Sequence, residues 1–223
     1  MKLHLLEIDS IQKHYHQKLI ISDAYLRCET GQIIGLLGRN GSGKSTLLKI
    51  IFGIVTADFK FIRIDGLVKN TTSDLLKEIS YLSQENFIPK HFNVKKVVFL
   101  SVKKSNHNSF FEDEMIKQIT DKKIHELSGG ELRYLEIKII LENNSKFVLL
   151  DEPYNGLSPI MIEKINRLII ENSNKKGIII SDHNYENVIA VSTNLLLMKD
   201  GKLFHLKDKH ELIEKGYLNQ GAF

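Results

Sequence analysis

The sequence predicts an α/β fold: a parallel core sheet flanked by helices, with an antiparallel β layer and a small helical subdomain. Three observations predict it. Short apolar runs at Ile33–Leu37, Ile79–Leu82, Phe147–Leu150 and Ile178–Ile180 have the length and branched side chains of strands buried on both faces. Segments with apolar residues at helical spacing separate most of these runs, as a parallel sheet requires of its crossovers. Between the first run and the first such segment lies the glycine-rich stretch Gly38-Arg39-Asn40-Gly41-Ser42-Gly43-Lys44-Ser45.

Taken in order, residues 1 to about 30 read as short strands of an antiparallel layer that carries Tyr15, with Phe59–Ile64 joining it before the Asp65-Gly66 turn. Helices are expected at Ser45–Phe52, where Leu47, Leu48, Ile51 and Phe52 share a face, at Glu131–Leu141, at Ile160–Glu171 and at Tyr185–Val191. Pro159 suits the first turn of the third of these. A helical insertion fills the interval from Gln84 to Ser128. Within it, Ser101–Ser109 is rich in Lys, Asn and Ser and reads as a solvent-exposed loop. Leu195–Met198 adds a strand, and the tail from Lys202 a further strand and a short helix near Asp208–Glu214.

The glycine-rich stretch fits a phosphate-binding loop, and its setting between strand and helix is the one that mechanism needs. Glycines let successive N–H groups turn toward phosphate oxygens, and the following helix presents its positive end to the same charge. Lys44 would reach the β- and γ-phosphates and the Ser45 hydroxyl would hold Mg²⁺, with Thr46 also among the nucleotide-binding residues. In the second half, the apolar run Phe147–Leu150 ends in Asp151-Glu152. Acids at the carboxyl end of such a strand lie beside the phosphate loop, because ligands bind at that edge of an open sheet. Asp151 is placed to hold Mg²⁺ through water, and Glu152 to orient an attacking water.

With Leu127-Ser128-Gly129-Gly130-Glu131 added, the chain resembles the ATP-binding cassette ATPases over nearly its whole length. The resemblance implies a phosphate-loop NTPase fold of the ABC type, with ATP and Mg²⁺ as cofactors and a single domain over 1–223 whose helical subdomain occupies about 85–140. The Leu127–Glu131 segment is similar to the family's signature, which in one subunit caps the γ-phosphate held by the partner, so that a homodimer or heterodimer encloses two ATP molecules. Ser128 offers a hydroxyl, and Gly129 and Gly130 allow close approach; the same Ser-Gly-Gly turn is also an ordinary helix cap. The resemblance further implies that Tyr15 stacks on adenine, that Gln84 senses Mg²⁺ and begins the surface facing a membrane permease, and that His183 contacts the γ-phosphate.

Departures from the family pattern are equally visible. Ser158 stands where the family has an aspartate that couples the two sites, which removes a charge and argues for slower turnover. Glu131 replaces a common glutamine, and Lys138-Ile139-Ile140 replaces small and basic residues. The Ser181-Asp182-His183-Asn184 and Gly156–Ile160 segments look most like the ATPases of the lipopolysaccharide exporter and of branched-chain amino-acid importers.

Composition narrows the class. The 223 residues suffice for one substantial core, burying about 70% of the unfolded surface. One cysteine, Cys28, excludes an internal disulfide and reads as a small packing residue of a reducing compartment. No run approaches the ~20 apolar residues of a membrane span, and the amino terminus does not read as a signal peptide. The net charge of +4 suits phosphate ligands, while its scattered lysines, including Lys95-Lys96 and Lys103-Lys104, argue against nucleic acid. The expected protein is therefore an ATPase subunit on the cytoplasmic face of a membrane, driving a permease. Two other classes stay open: a soluble assembly ATPase of the iron–sulfur scaffold type, and a slow regulatory ATP-binding module.

Overall fold

The structure is a computed structural model that describes residues 3–221. Two sheets organise it. The first is antiparallel, in the order β2-β1-β4-β5, from β1 (Leu5–Tyr15), β2 (Lys18–Glu29), β4 (Phe59–Ile64) and β5 (Leu67–Val68). The second has the order β10-β9-β3-β8-β7-β6, from β3 (Ile33–Leu37), β6 (Ile79–Leu82), β7 (Phe147–Asp151), β8 (Gly177–Ser181), β9 (Asn194–Lys199) and β10 (Lys202–Leu206). It is parallel throughout except for β10, which returns antiparallel to β9 as a hairpin through Asp200-Gly201.

The continuous apolar runs are explained by burial on both faces. Phe147 and Leu149 of β7, with Ile179 of β8, face the antiparallel sheet and the inner side of α1 (Lys44–Phe52). Val148 and Leu150, with Ile178 and Ile180, face the helices on the other side. Those helices are α6 (Gly129–Glu142), α7 (Pro159–Ser173) and α8 (Tyr185–Val191). Cys28 lies in the first of these two cores, where burial pushes its thiol up to about 12, as suits a packing residue.

The remaining elements include α2 (Thr72–Leu76) before β6 and α9 (Glu211–Glu214) near the end. The segment from Gln84 to Ser128 folds as α3 (Val94–Ser101), α4 (His107–Glu112) and α5 (Glu114–Ile119), which pack on α6.

Two expectations are corrected. The amino-terminal layer is not made of short strands: β1 and β2 have 11 and 12 residues and form one long hairpin, with Tyr15 opposite Lys18 at its tip. Register shifts along β1, with Ser10 at φ 53°, break the alternation that would have marked a long strand in the sequence. The Ser101–Ser109 stretch is not a loop. A single 3-10 turn at Lys104–Asn106 leads into α4, and Val102 is buried in the core. His107 Nε2 meets the Val102 carbonyl at 2.8 Å, and Phe99 packs edge-on to His107, contacts that a polar composition does not reveal.

Candidate functional site: a phosphate-loop cleft

The phosphate loop takes its shape from glycine. Gly43 sits at φ 108° immediately before α1, a conformation that L side chains rarely adopt, and a Cβ there would meet Met198 Cε at 2.8 Å. The loop delivers Lys44 to the interior, where it is 6% exposed and its Nζ donates to the carbonyls of Gly38 (2.7 Å) and Arg39 (3.3 Å). Burial lowers the Lys44 pKa, while the carboxylates of Glu152, Asp151 and Asp182 hold its charge in place. The Ser42 Oγ is buried without a hydrogen-bond partner, an orphaned donor within a loop of main-chain amides.

An open cleft of about 290 Å³ lies over this loop, lined by Tyr15, Asn40, Gly41, Gly43, Lys44, Ser45, Thr46, Gln84 and Glu152. It joins the hairpin tip, the loop, the carboxyl end of β7 and Gln84, two residues beyond β6. Gly38 and Ser42 are outside this lining. Arg39 contributes its carbonyl, but its guanidinium points away and donates to Gly216 O at 3.4 Å.

The oxygen-rich corner of the cleft is tightly cross-linked. Ser45 Oγ donates to Asp151 Oδ1 at 2.9 Å, Tyr81 Oη donates to Asp151 Oδ2 at 2.9 Å, and Gln84 Nε2 lies 3.3 Å from Ser45 Oγ. Burial raises the Asp151 pKa, opposed by the hydrogen bonds from Tyr81 and Ser45 and by the charges of Lys49 and Lys44. A hydroxyl, a carboxylate and an amide whose half-turn would present its oxygen form a hard donor set that fits Mg²⁺, which is commonly held by one or two carboxylates together with substrate phosphates. Among the described residues no group of three or more His, Cys, Asp or Glu side chains gathers as a self-sufficient metal site, in keeping with that sparse set.

Glu152 and His183 flank the same corner. Glu152 has φ 48°, a left-handed backbone for a non-glycine residue, held by its N–H donating to Ser181 O at 2.6 Å. His183 Nδ1 lies 3.8 Å from Glu152 Oε2 and 3.3 Å from Asp182 Oδ1. Asp182 is fully buried and fixed by the N–H groups of Tyr154 and Asn184, so it sets the position of the histidine. Tyr81 and Asp182 were missed in the sequence, because a tyrosine within a strand and an acid beside a histidine carry no local signal of their own.

Ser128, Gly129 and Gly130 do not line this cleft. They start α6, where Ser128 Oγ accepts from Glu131 N–H (3.2 Å) and Glu131 Oε2 accepts from Ser128 N–H (2.7 Å). This is a reciprocal capping box, and Lys122 Nζ adds a 2.9 Å contact to Glu131 Oε1, which accounts for a glutamate at that position. Ser158 likewise caps α7, accepting from Met161 N–H at 3.4 Å.

The family model described as ABC transporter matches residues 21–155. The lipopolysaccharide export system ATP-binding protein LptB of Escherichia coli K12 is 31% identical over 232 residues, covering 95% of each chain. LptB of Haemophilus influenzae is 32% identical over 213 residues, covering 89% of this chain and 88% of that protein. Among solved structures, an ATP-binding subunit of an ABC transporter superposes with a TM-score of 0.81 at 19% identity, covering 98% of this chain and 95% of that one. The ADP conformation of MJ1267, an ATP-binding cassette of an ABC transporter, gives 0.76 at 21% identity and 95% coverage of both. This chain belongs to the ABC transporter family, as one of its ATP-binding, ATP-hydrolysing subunits.

Proposed function

We propose that the cleft binds Mg-ATP in one domain spanning 1–223, with the helical subdomain at about 85–140, and that two such chains close on the nucleotide to drive a membrane permease. The observation that carries this reading is the convergence of Ser45, Asp151 and Gln84 beside Glu152 and His183. Main-chain amides of Gly41 and Gly43 with Lys44 hold the phosphates, and Tyr15 stacks on the base. Ser45 and Gln84 hold Mg²⁺, with Asp151 acting through water. When bound, Mg²⁺ neutralises charge developing on the β- and γ-phosphates. Glu152 orients the attacking water and accepts its proton, and His183 contacts the γ-phosphate oxygens from the other side.

In this reading Ser128, Gly129 and Gly130 serve the opposite chain. Their absence from the cleft lining in the same chain supports that assignment, since Ser128 and Gly129 at the amino end of α6 are exposed. Among the described residues no helix is long and apolar enough to cross a membrane. In the reading proposed here the permease is a separate polypeptide, and this chain acts on its cytoplasmic side. The cargo is selected by that partner.

The test is to purify tagged Glu152→Gln protein from native membranes in mild detergent with ATP, and to identify what accompanies it. A multi-span membrane protein at fixed stoichiometry is expected. A soluble partner alone would replace the permease reading with that of an assembly ATPase. An unchanged ATPase rate in Glu152→Gln would remove Glu152 from the chemistry.

A further inference from the structure

Two charged side chains of α6 lie in the interior and take no part in the cleft. Arg133 is 5% exposed and Glu136 is fully buried. Their heads face each other at 3.6 Å, too far for a strong pair, because each is engaged by main chain instead. Arg133 Nη1 donates to Ser83 O at 2.8 Å; Nη2 donates to Glu152 O at 2.9 Å and Asp151 O at 3.2 Å; Nε reaches Pro153 O at 3.4 Å. Glu136 Oε1 accepts from Phe87 N–H at 2.8 Å and Ile88 N–H at 3.4 Å, and its second oxygen has no hydrogen-bond partner.

One helix turn therefore grips two segments that carry the site. Arg133 binds the residue before Gln84 and the backbone on both sides of the Glu152 peptide. Glu136 binds the chain just beyond Gln84, next to the exposed ring of Phe87. Burying two ionic groups is costly, and apolar residues of similar volume would pack the same space at least as stably. Holding the left-handed Glu152 in place requires fixed partners, and the planar guanidinium supplies several at once.

We infer that Arg133 and Glu136 are positioning residues for ATP hydrolysis, locking the Ser83–Ile88 segment to the Asp151–Pro153 main chain so that Glu152 is held over the cleft. The inference rests on the assignment of Glu152 to the reaction. It also gives the signature helix a mechanical link to the catalytic carboxylate within its own chain.

The experiment measures kcat and the Mg-ATP dissociation constant for the full chain carrying Arg133→Met, Glu136→Leu or Glu136→Gln, with Glu152→Gln as control. A displacement near 1 Å at a reacting group costs on the order of 10–100-fold in rate, and kcat should fall by that factor in Arg133→Met and Glu136→Leu. Their Mg-ATP affinity should stay within about twofold, since neither residue lines the cleft. Glu136→Gln keeps an acceptor for Phe87 and Ile88 and should recover most of the rate. Arg133→Lys, which keeps the charge but offers a single nitrogen, takes the place of Arg133→Met if that protein does not fold. Wild-type kcat in the folded variants overturns the inference, as does a parallel loss of nucleotide affinity. If Glu152→Gln is itself as active as wild type, the assignment of Glu152 has failed instead.

Discussion

Ser45 Oγ donates to Asp151 Oδ1 across 2.9 Å of space and 106 positions of sequence, joining the first turn of α1 to the last residue of β7. The contact exists because β3 and β7 flank β8 in one parallel sheet, which places their carboxyl ends at the same edge. It sets a hydroxyl and a carboxylate side by side at one corner of the cleft.

Tyr81 orients Asp151 from the side opposite Ser45, and burial beside that carboxylate pushes the tyrosine pKa up, so the hydroxyl stays a donor. Tyr81→Phe removes the donor and keeps the ring. Loss of a group that orients a metal ligand costs about 10–100-fold in metal affinity or activity. A Mg²⁺ titration of the ATPase at fixed ATP should shift by about tenfold, while ATP binding without metal is unchanged. A wild-type Mg²⁺ dependence would show that Asp151 needs no such support.

Tyr15 stands at the rim of the cleft, 45% exposed, with Lys13 Nζ 5.1 Å from its ring centre. Stacking of a base on an aromatic ring contributes about 1–3 kcal/mol, so Tyr15→Ala should weaken ATP binding by roughly tenfold or more. Tyr15→Phe should bind as wild type. Titration with a fluorescent ATP analogue distinguishes the two, and equal affinity in all three proteins would remove Tyr15 from the adenine site.

Lys138 is one of the departures from the family pattern, and its side chain, 7% exposed, bridges Asp113 (3.3 Å) and Glu142 (2.6 Å) over the ring of Phe110. Removing the cation strands two partly buried carboxylates. Lys138→Met should destabilise the protein by about 3 kcal/mol, lowering its melting temperature by roughly 6–12 °C. ATPase activity below the transition should be preserved. Calorimetry on the variant and on Asp113→Asn/Lys138→Met, where part of the loss should be restored, checks the attribution.

Lys176 lies at the opposite end of the sheet, 5% exposed, donating to the carbonyls of Asn143 and Ser145. Burial, helped by the charge of Lys175 and opposed by Glu142, lowers its pKa to about 8. Between pH 8 and about 10.4 the unfolded chain holds a proton that the folded chain has released, so this residue makes stability rise with pH across that window. Below pH 8 the cost of the buried charge is present in full. Urea unfolding at pH 7.5 and pH 9.5 should show wild type gaining on the order of 2 kcal/mol relative to Lys176→Met. An identical pH slope in the two proteins would contradict the lowered value.

By itself the sequence determined the elements whose reasons are local. A glycine-rich loop between an apolar run and a helix, acids at the end of another run, and Ser-Gly-Gly before a second helix each carry their chemistry within a few residues. The parallel core, the glycine-loop residues that line the cleft and the helix starts near Ser128 and Pro159 were legible for that reason. The length of the β1–β2 hairpin was not, because its register shifts interrupt the alternation that reveals a strand. The fold of Ser101–Ser109 was not either, since His107 and Phe99 find their partners only once α3 and α4 are packed. Only the tertiary structure decided that Tyr81 meets Asp151 and that Asp182 lies against His183, that Lys138 lies in a buried ion-pair network, and that Arg133 and Glu136 join α6 to the main chain at Ser83–Ile88 and Asp151–Pro153. Polar side chains acquire such roles from what burial brings beside them, and partners separated by tens of residues leave no local pattern in the chain.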